Sequence, residues 1–158
     1  MKIIDLREAS HHLSTLARWH HEQWSDYNNN ETMQQRIERM ALYLDDYFIP
    51  TTYIAIEDGL LGSAAIVDND MESRPALTPW LASVYVKPDL RNRGIGSQLV
   101  EHVMRSSYDN GIHRLYLFTP DRADFYHKLG WQIMDKETYR GHEVTVMKAE
   151  LIDILSDR

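Results

Sequence analysis

The stretch 84–97 constrains this chain more than any other. Val84, Tyr85 and Val86 read as the end of a β-strand, Pro88 and Asp89 as a turn, and Gly94 and Gly96 as a loop that opens a helix. Glycine has no Cβ, so the backbone there turns tightly and a ligand can come close. The first N–H groups of a helix lack intrahelical acceptors, and the helix dipole makes that end partly positive. Such an end attracts anions, and Arg91 and Arg93 add charge-assisted donors beside it. The expected guest is a phosphate or pyrophosphate, although a solvated basic turn at a helix start has the same local pattern. Two familiar phosphate loops do not fit. A Walker loop needs two glycines followed by Lys and Ser or Thr. A dinucleotide fingerprint needs a third glycine where this chain has Leu99.

The acidic background makes this basic cluster informative. The formal net charge is −7, which argues against nucleic acid as a partner, since phosphate contacts need clustered Lys and Arg. The same excess of acid would suit a cationic amine substrate. With 158 residues, 43% of them hydrophobic, the chain is expected to form a single domain over residues 1–158. There is no cysteine, so disulfides and thiolate zinc sites are excluded. Residues 1–5 lack the apolar stretch of a secretory signal, and no apolar run is long enough to span a bilayer. The expectation is a cytoplasmic protein with no membrane partner.

Periodicity gives the elements. Residues 2–7 read as a strand. Ser10 is a candidate cap for a helix running to about Trp24, with Leu13, Leu16, Ala17, His20 and Trp24 on one face. Asn28, Asn29 and Asn30 form a polar break. A second helix is expected over about 31–46, with Met33, Ile37, Met40 and Leu44 buried, and Pro50 marks its end. Strands follow at 52–57 and 61–67 around an Asp58–Gly59 turn. A loop at 68–79 leads to the strand 80–86. Then come a helix over 94–109 ended by Gly111, a strand at 113–118, and a short helix over 121–129 closed by Gly130. An antiparallel pair at 131–135 and 143–148 and a short tail complete the chain.

The spacing of Arg91, Gly94 and Gly96 resembles the acetyl-coenzyme A pyrophosphate loop of the GCN5-related N-acetyltransferase (GNAT) superfamily, Arg/Gln-x-x-Gly-x-Gly/Ala. A second run, Phe125, Tyr126, Leu129, Gly130 and Trp131, resembles the Phe/Leu-Tyr-x-x-Leu-Gly-Phe segment of the same superfamily, one strand further on. A third, containing Arg74, Pro75, Leu77, Thr78, Pro79, Trp80, Leu81, Ser83, Val84, Tyr85 and Val86, looks like one bacterial branch of these enzymes. The resemblance covers roughly residues 50–149, whereas 1–49 agree only in element order. It implies an α/β fold of the α+β type: a mixed, mostly antiparallel sheet of roughly six to seven strands with helices on both faces. A homodimer is common in such folds.

The resemblance also implies a reaction. An acetyl group would pass from acetyl-CoA to a primary amine, expected to be a small molecule, by direct attack through a tetrahedral intermediate. The implied cofactor-binding set is Val84, Tyr85, Val86, Arg91, Asn92, Arg93, Gly94, Ile95, Gly96, Ser97 and Thr119. Of these, Val84 and Val86 would meet the pantetheine arm through backbone groups, and the N–H groups of Arg93 to Ser97 the pyrophosphate. A central-strand N–H would polarise the thioester carbonyl. Tyr126 would be the catalytic proton donor to the departing thiolate. The chain departs from the family pattern in two places. The central strand carries no Glu, which leaves Asp68, Asp70 and Glu72 in the preceding loop as candidate bases, directly or through water. Thr119 stands where the family often has an Asn that bonds the pantetheine.

Other features have plainer readings. His11, His12, His20 and His21 fall on the first helix, but the spacing of His12 and His20 does not suit a metal pair, and no metal is expected. His20 reads as a packed histidine or an acceptor-site wall, and Trp19, Trp24, Tyr27 and Trp80 as core or acceptor pocket. Two rival functions remain open at this level: an acyl-CoA-binding module with little catalysis, motivated by the missing carboxylate, and an enzyme acetylating protein N-termini or lysines.

Overall fold

The structure is a computed structural model that describes residues 1–27 and 30–156. The expected break at Asn28 and Asn29 and the end of the tail lie outside the described residues. The strands are β1 (Lys2–Asp5), β2 (Thr51–Ile56), β3 (Leu60–Val67), β4 (Trp80–Val86), β5 (Arg114–Thr119), β6 (Gln132–Tyr139) and β7 (His142–Glu150). They form one seven-stranded sheet in the order β1-β2-β3-β4-β5-β7-β6. Every neighbouring pair is antiparallel except β4 with β5. The helices are α1 (Leu13–Trp24), α2 (Met33–Ala41), α3 (Ile95–Asp109), α4 (Ala123–Lys128) and α5 (Leu151–Leu155).

Strand alternation divides the core between the two faces of the sheet. Ala55, Ala64, Ile66, Leu81, Leu115, Leu117 and Met147 face the side covered by α3 and α5, where Leu99, Val103, Leu151 and Leu155 pack on them. On the opposite face, Ile54 meets Leu16, Ala17 and Met40 of α1 and α2. Trp80, Tyr116, Val144 and Val146 lie on that face too, with Met71 and Leu77 of the loop 68–79 packed on them. Burying each Leu, Ile, Val or Met side chain among these contributes about 1.5–3 kcal/mol.

Several boundaries differ from the sequence expectation: β1 ends at Asp5 and α4 spans only Ala123–Lys128, and three further differences bear on the site. Ser10 caps nothing. Asp5 and Glu8 close a capping box at a 3-10 segment over Leu6–His12, so helical turns begin earlier. Ala9 interrupts that segment with non-helical backbone angles (φ −147°, ψ 52°) before α1 starts at Leu13. The second helix is shorter than expected. Thr32 and Gln35 form its capping box, and beyond Ala41 the chain tightens into a 3-10 turn at Leu42–Leu44. Its inward stripe also includes Arg36, buried beside Met40. Finally, β6 and β7 extend to Tyr139 and His142, a longer hairpin than the residue pattern indicates.

Candidate active site

The parallel neighbours β4 and β5 share one register pair, Trp80 with Tyr116, supported by Tyr116 N–H donating to the Pro79 carbonyl at 3.1 Å. β4 runs on to Val86 and β5 to Thr119 without further pairing, so the sheet opens into a cleft there. On its other side, β4 stays paired to β3, but the register shifts between Ser63 and Ala65. Ser63 faces Tyr85 and Ala65 faces Ala82, so Ser83 and Val84 together oppose Ala64: a β-bulge. Ser83 takes a left-handed conformation, φ +54°.

The α3 N-terminus stands next to the end of β4. Gly94 caps it at φ +84° with no side-chain acceptor, a conformation that favours glycine. The first intrahelical bond runs from Gln98 N–H to the Gly94 carbonyl at 3.1 Å, which leaves the N–H groups of Ile95, Gly96 and Ser97 without helical acceptors. Asn92 is also left-handed, φ +66°. A Cβ on Gly96 would lie 3.6 Å from both Val86 Cγ2 and Phe125 Cζ. The end of β4, the start of α3 and α4 thus meet at Gly96, where an added Cβ would be in ordinary contact with both neighbours. Arg122 sits over the Phe125 ring at 4.9 Å and brings a cation to this place.

The expected site residues divide between two sides of β4. Val84 and Val86 pack toward the α3 face, whereas the Tyr85 side chain lies among Trp19, His20 and Trp24 of α1. Arg91 is engaged on that α1 side as well. Its Nε donates to the Val86 carbonyl at 2.8 Å, its Nη2 to Gln23 at 3.3 Å, and its guanidinium lies 5.4 Å from the Tyr85 ring centre. Arg93 and Lys87 instead line an open groove of about 750 Å³ between the α3 N-terminus, the β2–β3 hairpin and the start of α1. That groove adjoins the glycine loop but does not include Tyr126 or Val84. Thr119 is buried, and its Oγ1 accepts from Arg122 N–H at 3.0 Å, closing the turn into α4.

Tyr126 is buried against Phe125 and Trp131 in the α3-side core. Burial pushes its phenol up to about 12 despite Arg122 nearby, so it is protonated at neutral pH. The three loop acids differ in setting. Asp68 is exposed, and Glu72 pairs with Arg140 at 2.9 Å. Asp70 is half-buried, and desolvation raises its carboxyl to about 6 against the opposing pull of Arg39, Arg36 and Arg140. A carboxyl near that value accepts a proton readily near neutral pH. The loop holding it is tied to the β6–β7 hairpin: Arg74 bonds Glu137 and Asp135, each at 2.6 Å, and Glu72 N–H donates to Tyr139.

Sequence reasoning missed Arg122 and the buried pair of His20 with Arg36. Arg122 could have been found as the lone cation just ahead of Phe125 and Tyr126. Arg36 sits in an apolar stripe three residues after Met33, and nothing in the sequence distinguishes it from a solvated neighbour. Trp80 is fully buried core, and Tyr27 stacks on His142 with ring centres 4.1 Å apart. Among the described residues, no group of three or more His, Asp or Glu is arranged to hold a metal ion, and no helix is long and apolar enough to cross a membrane.

Residues 49–133, more than half of the chain, match the family model of the acetyltransferase (GNAT) domain. No curated protein matches the chain. Among solved structures, an aminoglycoside 6'-N-acetyltransferase complexed with coenzyme A superposes with a TM-score of 0.77 at 16% identity, covering 96% of this chain and 98% of the other. The aminoglycoside 6'-N-acetyltransferase from Enterococcus faecium gives 0.73 at 16% identity, with 96% and 98% covered. The protein yncA from Salmonella typhimurium, solved with its cofactor acetyl-CoA, gives 0.70 at 17% identity, with 96% and 94% covered. At these identities the likeness is one of fold.

Proposed function

Because the chain belongs to the GNAT acetyltransferase family, we propose that it is a cytoplasmic, acetyl-CoA-dependent N-acetyltransferase that acetylates a primary amine of a small molecule. The observation that carries this reading is the convergence of the β4–β5 cleft, the α3 N-terminus without a side-chain cap and the α4 residue Phe125 around Gly96. The residues fit the cofactor. Free N–H groups at Ile95, Gly96 and Ser97 suit a pyrophosphate, with Arg93, Lys87 and Arg122 as nearby cations. The unpaired stretch of β4 suits an extended pantetheine arm, held through the backbone of Val84 and Val86.

When bound, acetyl-CoA supplies an activated acetyl thioester. The chain's own residues do the rest. Asp70, directly or through water, takes a proton so that the amine is neutral when it attacks the carbonyl. A β4 backbone N–H would donate to the thioester oxygen and favour the charge that develops there. Tyr126 gives its proton to the departing thiolate and is reprotonated from solvent. Aminoglycoside acetyltransferases among the structural neighbours and the net charge of −7 support a small, cationic amine.

One observation favours a second reading. The bulged segment of β4 carries no acid, which would suit a module that binds acyl-CoA with little catalysis. Acetyl-CoA turnover over a panel of small amines and short peptides separates the two. The enzyme reading expects turnover on a small amine, with Tyr126→Phe lowering kcat about a hundredfold while the KM for acetyl-CoA holds. Binding without turnover on any amine favours the module, and turnover on peptides alone favours a protein acetyltransferase.

A further inference from the structure

A chain of hydrogen bonds runs from α2 through α1 and β3 to the β4 bulge. Arg36 Nη2 lies 3.0 Å from His20 Nδ1, His20 Nε2 lies 2.8 Å from Ser63 Oγ, and Ser63 Oγ lies 2.9 Å from the Ser83 carbonyl oxygen. All three side chains are buried: His20 is 1%, Arg36 3% and Ser63 0% exposed. The directions of the bonds follow from chemistry. A guanidinium only donates, so His20 Nδ1 accepts and the ring is neutral with its proton on Nε2. Nε2–H then donates to Ser63 Oγ, and the Ser63 hydroxyl donates to the Ser83 carbonyl. Burial first, and Arg36 second, hold the imidazole well below its ordinary value, in accord with that neutral tautomer.

The far end of this chain is the peptide joining Ser83 to Val84. That peptide is trans and planar, so its C=O and N–H point in opposite directions. Holding the carbonyl against Ser63 turns the Val84 N–H the other way, away from Ser63 and the α1 face. The register shift frees this part of β4 from regular pairing with β3, and β5 has already diverged. A positive charge at the head of a bond chain also strengthens each successive donor.

We propose that Arg36, His20 and Ser63 form a buried relay that locks the Ser83–Val84 peptide and polarises its N–H toward the thioester carbonyl, making all three positioning residues for acetyl transfer. The relay rests on the acetyl-CoA reading above. It does not touch the substrate, and it does not require a carboxylate on β4. It also accounts for an arginine in the apolar stripe of α2, paired only loosely with Glu31 at 3.7 Å.

The test is isotope-edited infrared spectroscopy of acetyl-CoA labelled at its carbonyl carbon, bound to the parent protein and to Ser63→Ala. The thioester band should fall below its free frequency on the parent and return toward the free value in Ser63→Ala, while affinity for acetyl-CoA changes less than about twofold. His20→Asn supplies a second reading that does not depend on Ser63→Ala folding. Its amide reaches Arg36 but not Ser63, and the band should return part of the way. An unchanged band in either folded variant overturns the relay. If the parent takes up no acetyl-CoA, the cofactor assignment itself is wrong and the relay falls with it.

Discussion

Asp70 and Arg36 show how single residues on the α1–α2 side are set by burial rather than by charge pairing. Arg36 is pulled down to about 10 by desolvation and by Arg39, yet it stays charged at neutral pH. Asp70 goes the other way. Its folded value of about 6 lies above the ordinary carboxylate value, so the folded state favours the protonated form. The sign of the stability effect follows. Below about pH 4 both folded and unfolded states hold the proton and Asp70 has no net effect. As pH rises from about 4 to about 6 the unfolded state ionises first, and the folded protein loses stability relative to it. Asp70→Asn should therefore match the parent below about pH 4 and melt at higher temperature above about pH 6. Thermal denaturation across that range checks this, and two parallel curves would contradict it.

At the scale of elements, the β3–β4 contact is the most tightly built part of the site. A Cβ on Gly62 would fall 2.3 Å from the Tyr85 carbonyl oxygen, which belongs to backbone and cannot step aside. Gly62→Ala should destabilise the protein by about 3 kcal/mol, read as a fall in denaturation midpoint with an unchanged slope. A loss under about 0.5 kcal/mol would mean that β3 and β4 separate more easily than described. Much of this level was legible in the sequence. The Asp58–Gly59 turn, the Gly111 and Gly130 helix ends and the alternation of β2 all express short-range rules. The bulge was not legible, because Leu81, Ala82 and Ser83 read as ordinary strand and the register is set by β3 across the ladder. Nor was the start of α1, where an Asp5–Glu8 capping box opens a 3-10 segment that runs to His12 ahead of the helix.

For the whole molecule, the two halves of the site were unequally legible. The proposed cofactor side rests on a contiguous run of glycines and arginines and on Phe125 with Tyr126, so sequence neighbours are also spatial neighbours. The α1–α2 side is assembled from residues far apart in the chain, as with His20, Arg36 and Ser63, and only the fold brings them together. Arg91 illustrates the limit of the first kind of reading. It has the expected spacing, yet it lies against Tyr85 and Gln23 on the α1 side.

The central claim is that the α3 N-terminus beside the β4–β5 cleft holds the cofactor, and calorimetric titration with acetyl-CoA tests it most directly. The parent should bind at one site. Gly94→Glu places a carboxylate where the pyrophosphate would sit; the position is exposed with nothing within 4 Å, and its left-handed backbone (φ +84°) costs any side chain about 1–2 kcal/mol, so the variant should melt somewhat lower, stay folded and lose binding. Equal affinity in parent and variant, or no binding by the parent, would contradict the account.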